Sequence, residues 1–340
     1  MRKEILIILP LIFTAQACNI LGTGGQGSGD RGVFVSTDGG QTWEERNTVN
    51  QKENLKAAEI SRIFIEQNNP KNLLAATLNQ GLFASDSEGH AWVTLLPGFA
   101  AYDAFINPDK GQEIFTAGSK DKQAVIYKSL DRGGTWVQIY NQPSGQASVT
   151  ALAFDSINPD VLYAGLSTGT MIKSMDAGKT WNISADLKNR IVRIIIAPDQ
   201  ARAVYALART QGLSRSLDGG RTWNSLPAGR MGGQFNTFIL DPLNSNTLYL
   251  ATADGLQKSQ DGGATWNELK LPTTPTASNV TAVAVNPRNS RQIFASIRFN
   301  VYRSDDSGAT WRTNALPTRR GIFHLAIDPI EPNRVYAGTK

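Results

Sequence analysis

Ser36-Thr37-Asp38-Gly39-Gly40-Gln41-Thr42-Trp43 is a short polar, glycine-bearing box that ends on the largest apolar side chain. It recurs as Ser129-Leu130-Asp131-Arg132-Gly133-Gly134-Thr135-Trp136. Further copies run from Ser174 to Trp181, Ser216 to Trp223, Ser259 to Trp266 and Ser304 to Trp311, with a degenerate one from Ser85 to Trp92. Every tryptophan of the chain stands in a box (Trp43, Trp92, Trp136, Trp181, Trp223, Trp266 and Trp311), at spacings of 49, 44, 45, 42, 43 and 45 residues. A sustained period of that size marks one repeat architecture rather than two ordinary domains.

Between the boxes lies a second signal, an apolar run ending at an Asx-Pro corner: Asn107-Pro108, Asn158-Pro159, Asp241-Pro242, Asn286-Pro287 and Asp328-Pro329. Pro198 follows Ala197 instead, and Asn69-Pro70 sits a few residues late. Each corner leads into a β-rich run such as Val161-Leu162-Tyr163-Ala164-Gly165, and a further strand enters the box. A fourth opens at its Trp. Four short strands per repeat predict a β-propeller blade. In the box, glycines supply positive φ, and the carboxylates of Asp38, Asp131, Asp176, Asp218, Asp261 and Asp306 accept from turn amides, while each Trp packs on the adjacent sheet. Structural turns therefore explain the boxes better than calcium ligation or acid catalysis.

The first repeat, from Gly32-Val33-Phe34-Val35, holds only a third and a fourth strand, and Arg334 to Thr339 reads as a second strand. Together the two ends make one blade. The expected fold is all-β: a seven-bladed propeller over residues 32–340, closed by its own termini so that no sheet edge stays open.

Ahead of it, Met1-Arg2-Lys3 is a positive n-region and Ile5 to Phe13 an apolar stretch too short to span a bilayer. Ala15-Gln16-Ala17 is a small-residue cleavage site before Cys18. The chain's one cysteine at the first mature position resembles a bacterial lipobox, although Ala15 stands where such boxes usually carry Leu. Residues 1–17 are expected as a lipoprotein-type signal peptide, Cys18 as the lipid-attachment site, and 18–31 as a glycine-rich tether. An exported protein anchored to a bacterial envelope follows.

Of 340 residues, 34 are basic and 29 acidic, a net charge of +5 without a long like-charge run, so no nucleic-acid arm is expected. One cysteine and two histidines argue against a disulfide or a zinc site. No cofactor is expected, and the protein is expected to be a monomer.

The boxes identify the repeat as similar to the BNR or Asp-box superfamily. Their arrangement resembles the photosystem II stability and assembly factor family, with sortilin-type and xyloglucan-hydrolase propellers sharing the repeat. The resemblance implies a lumenal or periplasmic scaffold that holds a partner polypeptide during assembly, and the lack of a catalytic constellation in the sequence argues against an enzyme. Two other classes stand beside it. A sialidase-like enzyme needs an Arg-Ile-Pro signature, and here Arg62-Ile63 is followed by Phe64, with no Tyr/Glu pair evident. Related xyloglucanases set their carboxylates between two propellers, and one is expected here. A carbohydrate-binding lectin is the third class.

Aligning the innermost strands gives one column: Arg62, Asp103, Ala151, Arg193, Thr237, Ala282 and His324. Flanking columns hold residues such as Ile63, Ile194, Val283 and Leu325, suited to a core. A polar column inside such strands is costly unless it meets water or a ligand, which places it at the mouth of the central channel. His324, Arg62 and Asp103 should be consecutive around the ring, with Arg193 across from them. The plain structural alternative is an Arg62–Asp103 salt bridge between adjacent strands. The functional expectation is that Arg62, Arg193 and His324 receive an acidic side chain or a C-terminal carboxylate of a protein or peptide partner. The fallback is an outer-surface site on the basic segment carrying Arg190, Arg202, Arg209 and Arg215.

Overall fold

A computed structural model describes residues 30–50, 53–142, 145–198, 203–227, 233–273 and 278–340. Cys18, nearly all of the tether and Arg202 lie outside them. Within the described residues the apolar runs become strands, and helix is confined to one 3-10 turn, Leu55–Ala57. Residues 60–96, 100–142, 149–186, 191–225, 235–269 and 282–315, here blades 1 to 6, each fold as a four-stranded antiparallel meander.

Blade 7 is the composite one, with Glu44–Glu45, Gly32–Ser36, Val335–Thr339 and Ile322–Ile327 side by side in that order. Gly32 stands opposite Thr339 and Ser36 opposite Val335. The first and last strands are thus paired through a five-residue register, as the sequence predicts. Phe34, Val335, Tyr336 and Ala337 are wholly buried there.

Neighbouring blades share their cores. Leu74 and Leu82 of blade 1 pack with Ala104, Ile106 and Val125 of blade 2, and Phe34 and Val335 of blade 7 pack with Ala284 and Phe294 of blade 6. Apolar area removed from water at these seams is the main stabilising term of the ring.

The boxes make the predicted turns. Asp38 Oδ1 accepts from the amides of Gln41 and Thr42, both at 2.9 Å, and Oδ2 from the Thr42 hydroxyl at 2.6 Å. Asp176, Asp261 and Asp306 repeat the pattern, and the hydroxyl and then the amide of Thr180, Thr265 and Thr310 hold them down at about 2. In the degenerate box Ser87 stands in for the aspartate, accepting from the Ala91 amide at 3.3 Å. Positive φ is not a glycine monopoly here: Glu88, Arg132, Ala177 and Ser307 adopt it at the position Gly39 fills in the first box. The next residue is glycine for a second reason. A Cβ on Gly178 would lie 2.4 Å from Ile139 Cδ1, and one on Gly133 2.9 Å from Leu95, each on the preceding blade. Some of the tryptophans staple the same seams, Trp92 donating to the Arg46 carbonyl at 2.8 Å and Trp136 to Leu95 at 3.2 Å.

One irregularity of the innermost strands positions the site. In six of the seven the register slips by one residue near the start, as between Ile60 and Arg62 or between Ile191 and Arg193. A β-bulge of this kind sends two successive side chains to the same side of the sheet, where regular pleating would separate them.

Candidate functional site: a cationic channel mouth

Because of the bulges, the column Arg62, Asp103, Arg193, Thr237 and His324 and the preceding column Ser61, Tyr102, Thr150, Val192, Asn236 and Phe323 line one cavity of about 170 Å³, which Thr281 of the unbulged blade 6 strand also lines. It opens at the end of the channel where the innermost strands begin. The four residues singled out from the sequence are brought together. Ala151 and Ala282, small and buried, are absent from the lining.

The preceding column contains inter-blade clasps. The Ser61 hydroxyl donates to Ala76 of its own blade and to Ala101 of the next, at 2.9 and 2.7 Å. Thr150 and Thr281 bridge to Ile191 and Ile322 in the same way, and Asn236 Nδ2 donates to the Val280 carbonyl at 2.8 Å. Tyr102, Val192 and Phe323 occupy the remaining bulges and carry no short donor.

At two of those three seams the column residue makes the link instead. Asp103 Oδ2 accepts from the Leu152 amide at 3.1 Å, and His324 Nδ1 from the Ile63 amide at 3.3 Å. At the third, Arg193 has only donors, and its Nε–H is buried without a partner.

The charges follow from this packing. Arg62 Nε approaches Asp103 Oδ1 at 3.4 Å. Its N–H does not point along that contact, so the pair is ionic without being a hydrogen bond, and the buried Nε stays unsatisfied. Burial raises the Asp103 carboxyl, opposed by Arg62 and by the Leu152 and Ala104 amides. Burial, then Arg62, then Lys340 push His324 well below its ordinary value, so its imidazole is neutral, an amide acceptor at Nδ1 with Nε2–H as its donor. His324 is therefore a clasp and a neutral donor, so of the three residues expected to receive a carboxylate only Arg62 and Arg193 are cations.

The missing cations come from elsewhere. Arg190 at the start of the blade 4 inner strand, Arg209 at the end of its second strand and Lys340 beyond the last strand of blade 7 complete the lining. The Arg190 guanidinium lies 5.0 Å over the Tyr102 ring, and Arg209 donates to Gln234 Oε1 at 3.0 Å. Burial first, then repulsion from Arg190 and Arg209 around the opposing Glu59, bring the Lys340 amine down to about 8. Arg190 and Arg209 thus belong to the channel mouth rather than to a separate outer surface, while Arg215 of the same segment turns away to the Gly262 carbonyl of the next box at 3.1 Å. The sequence reading set Arg190 and Arg209 apart from the channel and missed Lys340, because all three lie outside the aligned strand. Their common feature, a basic residue just beyond an inner-strand start or a second-strand end, was the available signal.

The cavity therefore joins five basic side chains to one side-chain carboxylate, and that carboxylate already faces two amides and Arg62. Five convergent basic side chains and a water-accessible opening suit an anion of carboxylate size. A second cleft, between blades 1 and 2, is lined mainly by Leu73, Leu74, Leu95 and Ile106 and lacks such convergent donors.

A family model of the BNR/Asp-box repeat matches residues 34–45. No curated protein matches the chain by sequence. Among solved structures, the GH74 xyloglucanase of Xanthomonas campestris superposes with a TM-score of 0.71 at 18% identity, covering 92% of this chain and 52% of the xyloglucanase. The chain thus spans about half the length of that enzyme. YCF48 bound to a D1 peptide gives a TM-score of 0.63 at 15% identity, covering 83% of this chain and 92% of YCF48. YCF48 from Cyanidioschyzon merolae gives 0.64 at 13%, covering 83% and 96%. At such identities the likeness is one of fold: this chain is a seven-bladed Asp-box propeller.

Proposed function

We propose that this protein is an extracytoplasmic scaffold, held to a bacterial envelope membrane by lipid on Cys18, whose channel mouth receives an acidic group of a partner polypeptide, foremost its C-terminal carboxylate. The observation that carries this reading is the convergence of Arg62, Arg190, Arg193, Arg209 and Lys340 on a cavity whose one side-chain carboxylate is already engaged. An anion bound there would offset the mutual repulsion of these cations. The peptide complex of YCF48, on a fold of the same extent, supports a polypeptide ligand. Glycoside hydrolysis needs two carboxylates flanking a bond, one of them free to protonate a leaving group. Asp103 has no second side-chain carboxylate beside it in the cavity lining, and the matched xyloglucanase is about twice as long.

The test is an array of immobilised peptides with randomised sequence, each presented with a free C-terminal carboxylate and as its amide. The protein should favour the free acids. The double variant Arg62→Ala with Arg193→Ala should lose that preference, with affinity down at least about tenfold, roughly 1.4 kcal/mol. Asp103 keeps its two amide donors in this variant, so the fold should persist. Equal binding of acids and amides, or full retention of binding by the folded double variant, overturns the proposal.

A further inference from the structure

Beside the mouth runs a second, more open depression of about 560 Å³, lined by Thr281, Ile297, Phe299, Arg319 and Phe323 among others. Thr281 and Phe323 also line the mouth, so the two spaces adjoin. Ile297, 3% exposed, gives the depression an apolar floor, whereas Phe323 leaves 42% of its surface to solvent. That ring is held in place: it lies against Gly321, where a Cβ would stand 2.9 Å from Phe323 Cε2, and Lys340 Nζ sits 4.9 Å from its centroid. Gly321 thus makes room for a solvent-facing aromatic wall between the cationic mouth and the depression. Arg319 and Arg298 flank the far side, with Arg298 at φ 55° in the turn that presents Phe299.

We propose that this depression is the specificity pocket of the site and takes a large apolar or aromatic side chain of the partner, one to four residues upstream of the carboxylate in the mouth. The proposal rests on the carboxylate reading above and deepens it. The mouth has volume for a carboxylate and a short side chain, about five or six water volumes, so a bulky residue of the same tail must lie outside it. An extended tail advances about 3.3 Å per residue, and the shared Phe323 wall puts the depression within the first few residues of the mouth. The flanking arginines set the sign of the partner, an acidic or neutral tail rather than a basic one.

The same free-carboxylate array, scored by position, tests it. Among bound peptides, Phe, Tyr, Leu or Met should be enriched at one fixed upstream position. Changing that residue to Ala should weaken binding at least about tenfold, the effect of burying one such side chain. Phe299→Ala should abolish the positional preference while keeping the preference for free acids over amides. Phe299→Leu should retain it, with aliphatic residues gaining on aromatic ones. Phe299 is partly exposed, and its contribution to the turn is through backbone, its carbonyl accepting from the Leu316 amide at 2.9 Å, so an unchanged melting temperature is expected. Absence of any positional enrichment, or its survival in Phe299→Ala, overturns the pocket and leaves the carboxylate site standing. Loss of acid-over-amide discrimination in the wild type overturns the carboxylate site itself.

Discussion

Replacing Arg334 by Ala should destabilise the ring by about 3 kcal/mol at neutral pH. Arg334 closes the circle in side chains: its guanidinium meets Asp328 and Glu331 at 2.7 Å each and Glu88 of blade 1 at 3.2 Å. The three contacts are unequal. Glu331 is 64% exposed, so its pair contributes at most a few tenths of a kcal/mol, roughly, after screening and side-chain ordering. Asp328 is fully enclosed, at 0% exposure, and accepts from Arg334 at Oδ2 while Oδ1 takes the Ile330 and Glu331 amides at 2.8 and 2.9 Å. Alanine leaves Oδ2 buried and without a donor. Breaking a buried pair from one side costs about 3–5 kcal/mol, and the surviving amide bonds set this case at the lower end. The double variant Arg334→Met with Asp328→Asn should recover most of the loss, because an amide tolerates the site where a lone carboxylate does not. Urea unfolding followed by tryptophan fluorescence suits the measurement, since the tryptophans sit at the blade seams. A loss below about 1 kcal/mol for Arg334→Ala, or a double variant no more stable than the single one, would refute the assignment of Arg334 as the closure clamp.

The boxes, the cavity charge and the anchor each give a further test. Asp218→Ala removes the acceptor for the Arg221 and Thr222 amides and should lower the melting temperature while leaving peptide affinity of the folded protein unchanged; a selective loss of binding would mean that the box has a ligand role. Lys340 loses its proton as the pH rises through about 8, so the mouth has one positive charge fewer at pH 9 than at pH 7. Affinity for free-acid peptides should fall roughly fivefold over that range, and a flat titration would remove Lys340 from the site. Cys18→Ser should leave the protein unprocessed or released from the membrane fraction in detergent partitioning; normal processing with unchanged retention would end the lipoprotein proposal.

Periodicity carried the fold. Four strands, an Asx-Pro corner and a box repeated every 42 to 49 residues admit few arrangements, and the half-units at Gly32 and Arg334 name their own partner. These are local signals: turn chemistry and alternation act over a few residues, and repetition multiplies them. The column Arg62, Asp103, Arg193 and His324 was legible for the same reason, as a polar interruption at one place in a repeated apolar strand. What the side chains do there was not. Whether Asp103 and His324 are ligand groups or clasps depends on the Leu152 and Ile63 amides of the next blade, and those meet them only when the ring closes. The bulge that turns Tyr102 and Phe323 into the same cavity breaks the alternation on which strand reading rests. Arg190, Arg209 and Lys340 reach the mouth from three different strand ends, up to 150 residues apart in the chain. Their convergence, and with it the lowered Lys340 amine and the neutral His324 imidazole, is a property of the closed ring, because burial and Coulomb repulsion depend on distance in space and not on position along the chain.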